Sequence, residues 1–303
     1  MNNILALLLT PAFGYAVLRV TTPILYAALG NVISSKAGVS NIAMEGTMLT
    51  SSLVGVLASA YTGSAFIGLL AALVVGILFS AFMAYLNLYL GTNVIMAGIA
   101  LNLFASKFTI YILYMLTGQK GNSASLASKQ IPSVDIPVIK NIPVLGEIIS
   151  GHNILVYVAL LSIIVIYIML NKTKLGTHIK AVGESPHAAA SVGINVKRVR
   201  FLSLCLSGLL AGFGGAYMSM GYLSMFTRDM IAGRGWIAIA AGAMGRSMVI
   251  PTTITSFLFG IFSAIGNVLQ LQNIPSELVT TLPYIAVFIG IIVYSIRKTK
   301  EDK

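Results

Sequence analysis

The chain has 303 residues, 57% of them apolar and 9% charged, against roughly 25% charged residues in a soluble globular domain. So many apolar segments in series exclude a single anchor joined to a soluble domain. The formal charge of +11 is placed by membrane side rather than along one exposed face, which argues against a nucleic-acid footprint, and the lone Cys205 excludes an internal disulfide.

In chain order, residues 4–16 contain Pro11 and Gly14, which interrupt a segment already short for a crossing; an interfacial or partial helix is expected there. The first basic residue is Arg19 and no small-residue cleavage site follows a compact apolar run, so this start is expected to be retained. Apolar runs near bilayer length predict spans at 17–35, 46–62, 65–90, 93–116, 153–171, 201–221, 231–246, 250–271 and 276–296. The expected fold is an all-α membrane protein. It is a polytopic bundle of about nine (8–10) transmembrane helices with breaks, forming a single domain over 1–303.

Ionisable groups inside spans cost ~2.5–3.5 kcal/mol at a helix centre and are functional candidates for that reason. Glu45, with Asn41 and Gly46, sits where the helix is broken between Lys36 and Thr47. Two compatible readings follow: Glu45 is a polar edge of a solute pathway, or it caps the first turn of a helix beginning near Thr47. Asn93 and Asn102 share the next polar span, and the deep Asn102 amide needs a partner, either another helix or a solute.

The loop 117–152 is rich in Ser, Pro and Gly, whereas the segment 172–200 carries Lys172, Lys174, Lys180, Lys197, Arg198 and Arg200 against the single acid Glu184. The tail adds Arg297, Lys298, Lys300 and Lys303. An excess of Lys and Arg marks the cytoplasmic side, so the 172–200 loop and the C-terminus are expected in the cytoplasm and the 117–152 loop outside the cell. Inside the basic loop, Ser185 is a good N-cap, Pro186 suits the first helical position, Ala188, Ala189 and Ala190 favour helix, and Gly193 offers a left-handed stop. Such a short helix buries too little to be stable alone. It lies on headgroups or docks into a protein groove, and its alanine face is too small for strong lipid insertion.

Further along, the small residues from Ser207 to Gly215 form a face for close helix packing. Arg228, Asp229, Arg234 and Trp236 cluster near the end of the next broken segment. They read as an interfacial belt or as an external gate in which Trp236 or Phe226 gives a planar ring of a solute a flat face to stack on. His152, His178 and His187 stand outside the spans, without metal-ligand spacing, and are expected as solvated loop residues; no catalytic constellation is present in the sequence.

Several stretches together carry a family resemblance: the run from Gly38 to Gly46, the run from Lys174 to Asn195 with its Val182-Gly-Glu-Ser-Pro and Ser191-Val-Gly-Ile-Asn, and the run from Arg234 to Gly245. They resemble permeases of ATP-binding-cassette importers of the branched-chain-amino-acid and simple-sugar type, across Arg19 to Ile296. The Asn41-Ile-x-x-Glu-Gly form is similar to the nucleoside-uptake branch rather than to ribose permeases, whose matching segment has an acidic residue with Leu-Ser in place of Asn-Ile. Lys107 departs from the pattern, falling inside a span where a small or apolar residue is expected.

The resemblance implies a type II importer-like permease in the plasma membrane, with no cofactor or metal of its own. Its partners would be a second related permease, a cytoplasmic ATPase that hydrolyses ATP and an extracellular solute-binding lipoprotein. It also identifies the 172–200 loop as an ATPase-coupling element, with Gly183, Glu184, Ser185, Pro186, Ala188, Ala189 and Gly193. The expected substrate pathway comprises Asn41, Glu45, Asn102, Phe226, Asp229, Arg234 and Trp236. Agreeing with this, the sequence has no Gly-x-x-x-x-Gly-Lys-Ser/Thr phosphate loop. A self-sufficient secondary transporter with Glu45 as proton carrier is the alternative, and it would have no ATPase to dock.

Overall fold

The computed structural model describes residues 10–137 and 144–270, together with Ile285. The first helix, α1, spans Pro11–Lys36. Pro11 opens this helix instead of interrupting it, because a proline at the first helical positions lacks only an N–H that would have no partner there. Residues 11–16 therefore belong to the first long helix and not to a separate interfacial one. All residues from Val20 to Ser34 are buried, so α1 is the central post of the bundle.

Around it stand α2 (Met44–Thr62), α3 (Ala65–Leu88), α4 (Val94–Thr117), the short α5 (Leu145–Ile149) and α6 (Ile154–Lys172). Next come α7 (Lys174–Glu184), α8 (Pro186–Ser191) and α9 (Val196–Tyr217), which runs into a π-helical turn at Met218–Tyr222. The last are α10 (Arg234–Met244) and α11 (Val249–Gln270). Among the described residues, six helices are long and apolar enough to cross a membrane: α1, α3, α4, α6, α9 with its π turn, and α11. The span expected at 276–296 lies, apart from Ile285, outside the described residues, as does the C-terminal tail.

Two predicted spans are not among these six. The one at 231–246 is the 11-residue α10, which rises only ~16 Å at ~1.5 Å per residue and covers about half of a ~30 Å hydrocarbon core. The one at 46–62 is α2, whose Thr47, Thr50, Ser51, Ser52 and Ser59 are buried against other helices instead of facing lipid.

Small residues set the packing. The buried face of α3 reads Gly68, Ala72, Gly76, Ser80 and Ala84, a four-residue repeat that lets its backbone approach α9. A Cβ on Gly76 would collide with the Gly208 carbonyl, and one on Gly208 with the Gly76 carbonyl, so both glycines are required by contact. Gly208 and Gly212 of the 207–215 stripe thus form the α3–α9 seam, whereas Gly214 packs on α1 and α2 and Gly215 on α2. The opposite faces of α3, α4 and α6 expose large apolar side chains such as Leu78, Phe82, Leu103, Phe108, Leu161 and Ile164, as suits a lipid or partner surface.

Candidate pathway site at the broken helices

Residues 37–43 leave the end of α1 and fold back into the bundle, where Asn41 is fully buried. Its amide donates to Ser80 Oγ (3.0 Å) and Ser207 Oγ (3.2 Å), tying the break to the α3–α9 seam. The start of α2 is held by Asn102 of α4, which donates to the Ile42 carbonyl (2.9 Å) and accepts the Gly46 N–H (2.8 Å). One half-buried amide so replaces the intrahelical partners that a broken helix lacks.

Glu45 follows on the first turn of α2. Its Oε1 accepts the Gly233 N–H (2.8 Å) and its Oε2 the Gly235 N–H (2.7 Å). Gly233, in left-handed conformation, is the N-cap of α10. The carboxylate therefore caps a helix, but α10 and not the helix near Thr47 that the sequence suggests. An acidic side chain so meets the positive end of a helix dipole and satisfies two backbone donors at the helix start. At the far side of α10, the Asn31 amide of α1 donates to the Ile239 carbonyl (3.4 Å), so the half-helix is fastened to the central post.

These junctions border a cavity of about 290 Å³ lined by Glu45, Gly46, Leu49, Ile99, Asn102, Leu103, Ser106, Asp229, Ile231, Ala232, Gly233 and Trp236. Trp236, 40% exposed, gives its wall an aromatic face. Asp229, with φ of 52°, accepts from Ser106 Oγ (2.9 Å) and pairs with Arg228 (3.3 Å). Of the seven residues expected in the pathway, Glu45, Asn102, Asp229 and Trp236 meet at this cavity. Asn41 lies in the helix seam behind it, and Arg234 turns back to the carbonyls of Met230 and Ile231. Phe226 is fully buried: Ser123 donates its N–H to the Phe226 carbonyl (2.9 Å) and accepts the Phe226 N–H at its Oγ (2.9 Å). It offers no stacking face. The glycines at 233 and 235 and the α4 residues Ile99, Leu103 and Ser106 were not anticipated. The Gly-Arg-Gly run was the available signal, since glycines at a helix start allow a group to approach the backbone closely.

The basic loop folds as the helix pair α7–α8. Ser185 caps α8 by accepting the Ala188 N–H (3.3 Å), Pro186 opens it, and Gly193 follows with φ of 85°. Glu184, His187, Ala188, Ala190 and Ser191 are exposed, and Val192 is 75% exposed. Ala189 faces inward and is buried with Ile179 and Val182, so it belongs to the chain's own core and not to the outer face of α8. Gly183 has a packing role: a Cβ there would strike the Lys36 carbonyl, which places α7 directly on the end of α1. Arg200 reinforces the joint by donating to the Ala37 carbonyl (3.2 Å).

At the other end of the bundle His152 is buried, not solvated. It stacks on Tyr15 at 3.9 Å between ring centroids and donates to the Ile148 carbonyl (2.9 Å). Asn93 is not a span-interior group; it caps α4 by accepting the N–H groups of Ile95 and Met96.

The sequence pattern of the branched-chain amino acid transport system permease component matches residues 15–295. The chain belongs to that family. It is 30% identical, over 89% of its length and 90% of the relative's, to the nucleoside ABC transporter permease protein NupC of Lactococcus lactis. It is 31% identical, over 91% of its length and 89% of the relative's, to the guanosine ABC transporter permease protein NupQ of Bacillus subtilis. In fold it is similar to a chain of PsaBC from Streptococcus pneumoniae, solved with a Fab, at a TM-score of 0.53 and 17% identity over 91% of this chain and 89% of that one.

Proposed function

We propose that this permease moves nucleosides through the bilayer as part of an ATP-driven importer. A second related permease, an ATPase and an extracellular solute-binding lipoprotein would complete the assembly, with ATP bound and hydrolysed by the ATPase. The observation that carries the reading is the cavity at the broken helices, lined by Trp236 together with Asn102, Ser106 and Asp229. A nucleoside presents a stackable base next to ribose hydroxyls, and these groups match it in kind. The two curated relatives named above, permeases for nucleosides and for guanosine, support the same substrate class.

The α7–α8 pair is the element we assign to the ATPase, with the 172–200 loop and the C-terminus in the cytoplasm and the 117–152 loop outside. ATPase closure would push α7 against the end of α1 through Gly183 and Lys36. Through Asn31 and Ile239, α1 would then shift α10 and the wall of the cavity. Uptake of labelled nucleosides by the assembled transporter, with ribose and galactose as competitors, tests the substrate. Competition among nucleosides and loss of uptake in Trp236→Ala are expected; competition by the sugars alone would refute the nucleoside assignment. For orientation, the exposed Ser125, as Ser125→Cys in a Cys205→Ala background, is expected to react with an impermeant thiol reagent from outside, and the exposed Ser191, as Ser191→Cys, is expected not to.

A further inference from the structure

Lys107 stands inside α4, exposed, and no ion pair or hydrogen bond joins it to another described residue. Ten residues, roughly 15 Å of helix, separate it from the end of α4 at Thr117. A lysine stem cannot snorkel to the interface over that length. Leu103, Phe104, Phe108 and Tyr111 around it are exposed and apolar. A charge so placed is stable only against water, a solute or an acceptor, and lysines at membrane depth face cavities or bundle interiors for that reason.

The helical register points to which. Leu103 and Ser106 both line the Glu45–Trp236 cavity. At 3.6 residues per turn, Lys107 lies about 40° around the helix from Leu103, on the flank of the lining stripe and not opposite it. From there its flexible stem starts one helical turn from the cavity-lining Leu103.

We propose that Lys107 contacts the solute, its ammonium donating hydrogen bonds to acceptor atoms of a base stacked at Trp236. This rests on the nucleoside reading above and sharpens it. Guanine presents two acceptors, O6 and N7, on one edge, and lysine is a suitable donor to both; adenine places an amino group where guanine has its carbonyl. Lys107 is therefore a specificity-determining residue that favours guanosine over adenosine.

The test uses the transporter with its own partners. In a Cys205→Ala background, Lys107→Cys is expected to react with a water-soluble thiol reagent, and guanosine is expected to slow that reaction. In Lys107→Gln the kcat/KM for guanosine is expected to fall roughly tenfold through KM, with adenosine changed far less, while Lys107→Arg retains most of the preference. Failure of the reagent to label, or labelling that no solute slows, overturns the proposal. So does an unchanged guanosine-to-adenosine ratio with reduced recovery of the assembled complex, the signature of a subunit contact. If the parent transporter carries ribose and no nucleoside, the nucleoside reading fails by itself. Protection of Lys107→Cys by ribose then decides whether Lys107 contacts the solute.

Discussion

Glu45 and Gly235 are 190 residues apart in sequence, and a Cβ on Gly235 would stand 2.7 Å from Glu45 Oε2. The carboxylate is thus a fixed part of the α10 start, with both oxygens engaged by backbone N–H groups. In Glu45→Gln the amide keeps one acceptor oxygen and turns a donor toward the other N–H. Losing a hydrogen bond to a charged group costs about 1.5–3 kcal/mol. The expected result is a lower thermal unfolding midpoint together with reduced uptake. A freely exchanging proton carrier would instead lose transport with unchanged stability.

Gly235→Ala separates close contact from helix propensity. Alanine is the better helix former by ~1 kcal/mol, so a purely local effect would stabilise the protein. The Cβ must push α10 away from Glu45, whose backbone N and Cα would lie 2.6 and 2.7 Å from it. Destabilisation and loss of uptake are expected, measured in detergent and in cells respectively. A raised unfolding midpoint with normal uptake contradicts the contact.

Much of this arrangement is legible in the sequence, because polar residues in an apolar chain stand out: Glu45, Asn102 and Trp236 all reach the cavity. So are the caps of α8, since Ser-Pro followed by alanines and glycine has few local alternatives. What the sequence hides is relative placement. Phe226 and Trp236 look equally able to stack, yet the hydrogen bonds of the 223–233 segment to Gly121 and Ser123 bury only the first. Apolar content likewise makes residues 231–246 read as a full span, whereas Gly233 and the turn after Met244 limit the helix to half of one.

The directions in which Ala189 of α8 and its C-cap Val192 face separate the proposed ATPase contact from folding. Val192→Asp places a charge on the exposed rim, and co-purification with the ATPase is expected to be lost while the permease stays folded. Ala189→Trp overfills a position that is 3% exposed, and overpacking costs typically ~1–3 kcal/mol. That variant is expected to destabilise the permease itself, read as a lower unfolding midpoint of the isolated subunit. Equal losses of ATPase binding with equal stability in both variants contradict this division of faces.

The Tyr15–His152 stack gives the end of the bundle that carries the 117–152 loop a pH dependence. Burial pushes the His152 imidazole below its ordinary pKa, and the charge of Arg19 pushes the same way, while the bond to the Ile148 carbonyl offsets part of the shift. Because the folded value is depressed, the unfolded chain binds more protons once the pH drops below about 6.5. The stabilisation is fully present above that pH and is lost as the pH falls toward the folded value. Wild-type protein is expected to unfold at a lower temperature at pH 5.5 than at pH 7.5, by about 2–4 °C for each kcal/mol lost. His152→Phe keeps a ring to stack on Tyr15, carries no titrating nitrogen and gives up the Ile148 bond. Its midpoint is expected to be lower than wild type at pH 7.5 and to depend less on pH between those values. An acid-induced drop of equal size in both proteins would place the sensitive group elsewhere.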